Sequence, residues 1–548
     1  MRTSSKTLLY VSFFFLFINS SIAQNLTSDV DALISEKYAK DGPGISLLIA
    51  KNGKTIYKNQ SGLANIELQV PINENSVFEI GSITKQFTSV SILMLEEQGK
   101  LSLDDEITKY IPDYPTNGHK ITIHHLLNHT SGIQSYTGMP SFRTQDRKDM
   151  TPTELIDVFK NEPMNFNPGE SYQYNNSGYI LLGYIIEVIT KESYPDFIQK
   201  NIFTPLGMTS SYYGSKSKVI PNRASGYSPS SQGMDNARYL SMTLPYAAGS
   251  IMSTVGDLLK WQNAIRTHKL ISKASFEKAT NGSVLNNGKD IDYGYGWRSG
   301  DVSGSRTIEH SGGIYGFSTN GIYFPKEDIY VIGLTNFNGS DVVNFVQEVS
   351  ALAIGKPFHN KKDAISLSES QLKKWVGAYQ FGEEIIRHII VKEGKIFSQR
   401  EGSDAIEILP MSENTFMFPG SRSSYEFAIN ANKKQALFKG RKETVGKEID
   451  KAPPTEKKEI TLSNEVLKEY IGTYELAPTF SIEVSVRENR IFGVATGQPE
   501  VELFPYSENE FFLKVVKAEI TFNKDDQGKV TGLILNQNGR QMPGKKIK

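Results

Sequence analysis

Three blocks in the C-terminal third of this 548-residue chain recur at one fixed offset. LKKWVGAY from Leu372 returns as LKEYIGTY from Leu467, VKEGKIF from Val391 as VRENRIF from Val486, and LPMSENTF from Leu409 as FPYSENEF from Phe504. Each time the offset is 95 (467 − 372, for example). One offset held without gaps marks a duplication. Each copy consists of short strand-like runs with few helix signals, the pattern of a small antiparallel barrel or curled sheet. GKEIDKAPPTEKKE, Gly446 to Glu459, is charged, contains Pro453-Pro454 and reads as the linker between copies spanning 365–448 and 460–548. Neither copy holds a nucleophile beside a base, so the tail is expected to be structural or to shape substrate access. The chemistry must lie upstream.

The chain opens MRTSSKTLLYVSFFFLFINSSIAQN, with Arg2 and Lys6 before an apolar run from Leu8 to Ile18 and a small-x-small pattern at Ser21-Ile22-Ala23. That is the layout of a cleavable leader over residues 1–23. The apolar run is short for a membrane span, and no later segment is long and apolar enough, so the mature chain is expected to be soluble and periplasmic or secreted. Lys plus Arg number 60, as do Asp plus Glu; losing Arg2 and Lys6 leaves 58 against 60, a net charge of −2. Such a balance gives no sign of a nucleic-acid partner. The chain has no cysteine, which excludes disulfides, thiolate metal sites and a cysteine nucleophile.

Between these ends, 24–360 reads as one mixed domain. Asn52-Gly53 divides two apolar runs in ISLLIAKNGKTIYKNQSG, a two-residue hairpin signal. ITIHHLLNHTSGI (Ile121 to Ile133) reads as a short helix capped near Thr122 and stopped by Gly132, and Thr254 to Asp257 as a capping box opening another. NNSGYILLGYIIEVIT is apolar near a 3.6-residue period. FSTNGIYFPKEDIYVIGLTNFNG reads as two strands about a Pro-Lys-Glu-Asp turn, with a final helix over Val342 to Ala353. Helices between a leading and a trailing hairpin imply a sheet built from both ends of the domain.

The chemistry begins at FEIGSITKQFTSVSILMLEEQGKLSLDD, where Ser82 stands three residues before Lys85 at the start of a helix. Residues i and i+3 share a face, and a serine hydroxyl needs a neighbouring base before it attacks anything. A first-turn serine also carries a backbone N–H that the helix does not claim. Ile83, Phe87, Val90 and Met94 would bury the opposite stripe. Ser-x-x-Lys alone is weak, because a serine in that position also caps helices. Further on come Tyr174-Asn175-Asn176 at a helix start and His310-Ser311-Gly312-Gly313 entering a strand. His124, His125 and His129 cluster without carboxylates at ligand spacing and are read as helix and turn residues, not a metal site. Asp104-Asp105 reads as a turn. No Gly-x-Ser-x-Gly elbow occurs, and no phosphate-loop frame surrounds the Gly-Lys pairs. Neither metal nor cofactor is expected.

Ser-x-x-Lys, then Tyr-x-Asn, then His/Lys-Ser/Thr-Gly, in that order, resembles the penicillin-recognising serine hydrolases. The match is to the branch of class C β-lactamases, D-alanyl-D-alanine carboxypeptidases and related esterases. ITIHHLLNHTSGI, NPGESYQYNNSGYILLG and YAAGSIMSTVGDLLKW are similar to that branch too, and the resemblance runs from Gly44 to Ala353. It implies the α/β serine β-lactamase/DD-peptidase-like fold, an antiparallel sheet flanked by helices plus a helical subdomain, followed here by two all-β repeats that resemble lipocalin-like domains. It also implies an acyl-enzyme on Ser82, with Lys85 and Tyr174 moving protons and the order between them open. Asn176 would bind Lys85 or a substrate amide. His310, Ser311, Gly312 and Gly313 would line the substrate strand, with the N–H groups of Ser82 and Gly313 as oxyanion hole. The lactamases usually carry Lys where this chain has His310, which points away from a dedicated β-lactamase. The implied substrate is a small peptide or ester, D-amino-acid peptides such as peptidoglycan stems first; a carboxylesterase, a D-amidase, a weak β-lactamase and a non-catalytic penicillin-binding sensor or scaffold are the alternatives.

Overall fold

The computed structural model describes residues 26–548 apart from 359–362, 383–384, 420–422, 432, 441–442, 454–458, 478–479, 499, 515–517 and 538–539. The expected leader lies outside the described residues, as does 454–458 of the expected linker. The chain divides into two compact units, one ending at Phe358 and one running from His359 to Lys548.

In the first unit, β1 (Ile45–Lys51) and β2 (Lys54–Ser61) form the leading hairpin, and Asn52 and Gly53 both take the positive φ that a tight two-residue turn requires. From the other end of the unit come β3 (Arg298–Val302), β4 (Ser305–Ile314), β5 (Phe317–Phe324) and β6 (Ile329–Thr335). The sheet order is β3-β4-β5-β6-β1-β2, with Ile45 opposite Thr335 and Lys51 opposite Ile329. The two ends of the unit therefore meet in the sheet centre.

Both faces are covered, and β1 shows why its run is apolar throughout. Ile45, Leu47 and Ile49 enter a core with Phe345, Val346 and Val349 of the last helix, whereas Leu48 and Ala50 enter the larger core beneath the helical half. Each fully buried Ile, Leu or Phe contributes about 1.5–3 kcal/mol.

The helices that frame the site are α1 (Thr84–Glu97), α2 (Ile123–Leu127), α3 (Asn176–Thr190), α4 (Val255–Arg266) and α5 (Val342–Ala353). α1 corrects one expectation. It is not buried along a single stripe: Thr84, Lys85, Thr88, Ser89 and Ser91 are buried as fully as Phe87 and Val90, Gln86 is buried too, and Met94 is only partly buried. The polar positions are tolerated because they find partners. Thr88 Oγ1 donates to Ala247 O at 2.6 Å, Ser91 Oγ to Phe87 O at 2.8 Å, and Gln86 Oε1 accepts from Trp261 Nε1 at 3.0 Å. α2 begins as expected, with a capping box between Thr122 and His125, but ends at Asn128 rather than Gly132. The chain turns at His129, whose φ is +63°. At α4 only half the capping box forms, since Thr254 accepts from Asp257 N while the Asp257 carboxylate is taken by Ser210, Ser211 and Lys260.

The second unit carries the duplication into three dimensions. One copy is a nine-stranded rolled sheet whose terminal strands, Ala405–Glu407 and Leu409–Pro410, adjoin in sequence; the other is a closed eight-stranded barrel from Gly472 to Lys546. The 95-residue offset holds for contacts as well as letters. Tyr379 Oη donates to Trp375 O at 2.8 Å and Tyr474 Oη to Tyr470 O at 2.7 Å. Asn414 Nδ2 bonds Phe427 O at 3.1 Å, and Asn509 Nδ2 bonds Phe522 O at 2.9 Å. Among the described residues no helix is long and apolar enough to cross a membrane.

Candidate active site

Ser82 occupies a tight turn, Gly81–Ile83, that leads into α1, and its hydroxyl caps nothing: no side chain caps this turn or α1. Gly81 takes φ +53°, and a Cβ there would stand 2.9 Å from Gly313 N and 3.0 Å from Gly313 O. A Cβ on Gly312 would lie 2.0 Å from Ile80 O. The two glycine segments are thus pressed backbone to backbone, an approach only residues without side chains permit. Thr319 on β5 ties the junction by donating to Ile80 O at 3.0 Å. The consequence is that the Ser82 turn and the Gly313 edge of β4 adjoin.

Lys85, one helical turn on, is fully buried. Its Nζ lies 3.1 Å from Ser82 Oγ, 2.8 Å from Asn176 Oδ1 and 2.9 Å from Ala248 O. Asn176 is oriented by its other end, since Nδ2 donates to Thr137 Oγ1 at 3.0 Å and its backbone N–H to Ser135 Oγ at 3.2 Å. Desolvation holds the ammonium pKa well below its ordinary value. An ammonium has three hydrogens for three acceptors, but a neutral amine has two. Because Ala248 O and Asn176 Oδ1 can only accept, the neutral amine directs its lone pair at Ser82 Oγ.

Tyr174 packs beside them, with Lys85 Nζ 4.8 Å from its ring centre. Its hydroxyl is buried and forms no hydrogen bond of ordinary geometry, although Ser82 is near enough to pull its pKa down. Burial outweighs that pull and raises the phenol above its usual range, so Tyr174 rests as a neutral phenol. His129 brackets it in sequence. The His129 carbonyl accepts from Gln173 N at 3.0 Å, His129 Nδ1 accepts from Asn175 N at 3.1 Å, and the two ring centres are 4.3 Å apart. Removing this clamp has a definite expected cost. His129→Ala loses the acceptor and strains a left-handed residue, lowering kcat about 10–100-fold, while His129→Asn, which accepts and tolerates that φ, retains most of it. Steady-state kinetics on both variants checks the difference.

The far wall of the site is His310 on β4. Its Nδ1 lies 2.6 Å from Ser311 O, which can only accept, so Nδ1 carries the proton and Nε2 accepts from Tyr293 Oη at 2.8 Å. Burial and the charges of Lys85 and Arg298 push its pKa down to about 3, leaving the ring neutral with both nitrogens engaged. Ser311 and Gly313 are exposed along the β4 edge, with Gly312 buried between them.

Sequence motifs point to Ser82, Lys85, Tyr174, Asn176 and the His310–Gly313 run, and these residues surround one locus. Motifs do not reveal Ala248 O, Thr137, Tyr293 or the clamping role of His129. The letters show only the cluster: His124 and His125 lie within α2, His129 just after it, and the three have unlike surroundings that the sequence does not reveal. His125 caps α2, His124 lies between Tyr295 Oη and Asn128 Nδ2, and His129 is sealed among Tyr174, Tyr179 and Tyr293.

Residues 30–354 match the family described as Beta-lactamase, and 456–546 a Domain of unknown function (DUF3471). Penicillin-binding protein 4* of Bacillus subtilis (strain 168) is 29% identical over 421 residues, covering 72% of this chain and 92% of that protein. Among solved structures, the octameric penicillin-binding protein homologue from Pyrococcus abyssi is 28% identical with a TM-score of 0.54, over 77% of this chain and 99% of that one. The D-stereospecific amidohydrolase from Streptomyces sp. is 25% identical with a TM-score of 0.51, over 61% and 98%. With the family match spanning well over half its length and the site built on Ser82, this chain belongs to the Beta-lactamase family and is a serine hydrolase.

Proposed function

We propose that the protein cleaves amide bonds next to D-amino-acid residues, as a DD-carboxypeptidase-like or D-amino-acid peptidase, through an acyl-enzyme on Ser82. The observation that carries this is Lys85, whose buried Nζ has two directions occupied by acceptor oxygens and the third on Ser82 Oγ. In acylation the Ser82 proton passes to Lys85 Nζ while Oγ bonds to the substrate carbonyl carbon and the carbonyl electrons move to oxygen. The N–H groups of Ser82 and Gly313 receive that oxyanion, where one donor typically carries ~3–4 kcal/mol. Collapse expels the amine, which takes the Tyr174 phenol proton, and Lys85 returns a proton to Tyr174. Water then repeats the sequence in reverse, leaving acid product and free Ser82.

The substrate class rests on similarity to a penicillin-binding protein and to a D-stereospecific amidohydrolase. A neutral His310 with no free ring nitrogen disfavours a dedicated β-lactamase that grips a carboxylate with a cation at this position. The leader at 1–23 would export the enzyme to peptidoglycan-containing space. Incubation with a penicillin and with a chromogenic ester, read by intact mass and product, tests the reading. A penicilloyl adduct that persists and is absent from Ser82→Ala is the expected result. Ester turnover with no adduct would move the assignment to an esterase or amidase, and the absence of both signals would overturn Ser82 as nucleophile and revive the binding-module reading.

A further inference from the structure

Beyond the Ser82 locus, the turn joining β4 to β5 borders a second cleft, of about 340 Å³, lined among others by Glu79, Lys216, Arg223, Arg238, Tyr315 and Phe317. Its charges are layered. Glu79 is 2% exposed, and its Oε1 receives both Lys216 Nζ at 3.1 Å and Arg223 Nη2 at 3.0 Å. Asp146, 3% exposed, receives Arg238 Nη2 at 2.8 Å. The cations keep 27%, 23% and 57% of their side chains exposed. So the carboxylates lie beneath and the cations, the more exposed partners, face the opening. The lining itself carries three cations and one carboxylate, Glu79, in a recess where solvent screening is weaker than on an open surface.

The cleft lies at a chemically definite end of the site. Glu79 precedes Ser82 by three residues, and Tyr315 follows Gly313 by two, in the turn just past the strand edge that faces Ser82. The opposite end of that edge holds His310, whose ring centre is 6.1 Å from that of Tyr174. In the Ser82 reading, on which this step rests, Tyr174 protonates the departing amine, so the leaving group lies toward His310 and the acyl portion toward the cleft. Two residues of extended chain cover about 7 Å.

We propose that this cleft is a subsite for an anionic group, a carboxylate carried on the acyl portion of the substrate one to two residues from the bond that is cut. A matched pair, N-succinyl- and N-acetyl-D-alanine p-nitroanilide, tests it on the full chain. At 20 mM NaCl the succinyl substrate is expected to show kcat/KM about 10-fold above the acetyl one, the ratio falling toward 1 at 0.5 M NaCl, as screening of a single charge pair requires. In Lys216→Gln, which leaves Arg223 on Glu79, the low-salt ratio should fall to within about 3-fold. The salt series needs no variant and so stands if that protein fails to fold. Equal kcat/KM for the pair, or a preference indifferent to both salt and Lys216→Gln, overturns the subsite. If neither substrate turns over, the peptidase reading fails by itself. Calorimetry on Ser82→Ala with N-succinyl- and N-acetyl-D-alanine amide then decides the cleft: tighter succinyl binding supports it and equal affinities overturn it.

Discussion

A Lys85→Met protein is expected to acylate Ser82 about 10³-fold more slowly than the unaltered enzyme at pH 7, with substrate affinity changed far less. Methionine keeps the reach and the buried surface but has no nitrogen lone pair, so the Ser82 hydroxyl loses the amine directed at it. The pH profile carries the same information with a fixed sign. Desolvation moves Lys85 below the ~10.4 of a free lysine, so the productive neutral form is present above its folded pKa. Acylation is lost as pH falls through that value. In Lys85→Met that acid limb should vanish and leave a low, flat rate. The measurement is pre-steady-state acylation by a chromogenic ester between pH 4 and 10. A rate near normal with the limb intact would transfer the base role to Tyr174. The resting structure argues against that outcome, because burial raises the Tyr174 phenol and leaves no phenolate at neutral pH.

What was legible in the letters follows from what short-range geometry can encode. Ser82 and Lys85 can be paired from spacing because helical pitch turns i and i+3 into one face. The hairpin at Asn52-Gly53 is legible because two consecutive left-handed residues suit few dipeptides. Asn176 joins Lys85 across 91 positions and Ala248 O across 163. No local pattern holds those distances; for Asn176 the order of family motifs supplied the link, and nothing supplied it for Ala248. Burial of α1 is misjudged by a one-stripe reading because its serines and threonines look solvent-facing until Ala247 O, Tyr194 and Tyr179 come to meet them. His310 shows a third limit. The letter His leaves charge open, and only the Ser311 carbonyl and Tyr293 hydroxyl settle the ring as neutral. The repeat is the opposite case, since one offset in sequence returns the same hydrogen bonds in both copies.

Gly312→Ala and Gly313→Ala, one position apart, are expected to fail differently. A methyl at Gly312 would stand 2.0 Å from Ile80 O and 2.4 Å from Thr319 Oγ1, and Ile80 O is backbone within two residues of Ser82. It cannot rotate away, so β4 must separate from the Ser82 turn. That is overpacking, with a cost of about 1–3 kcal/mol in stability. It also moves the Gly313 N–H from the proposed oxyanion position, at about 10²–10³ in kcat. A methyl at Gly313 meets nothing within 4 Å and needs no unusual φ. Its melting temperature should match that of the unaltered protein, yet the methyl projects into the open groove where the proposed substrate lies, so kcat/KM should fall through KM. Thermal melting and steady-state kinetics on the two proteins separate a displaced strand from an obstructed groove. A Gly312→Ala protein with normal melting and normal kcat would show that the close approach of Ile80 and Gly312 does not set the oxyanion geometry.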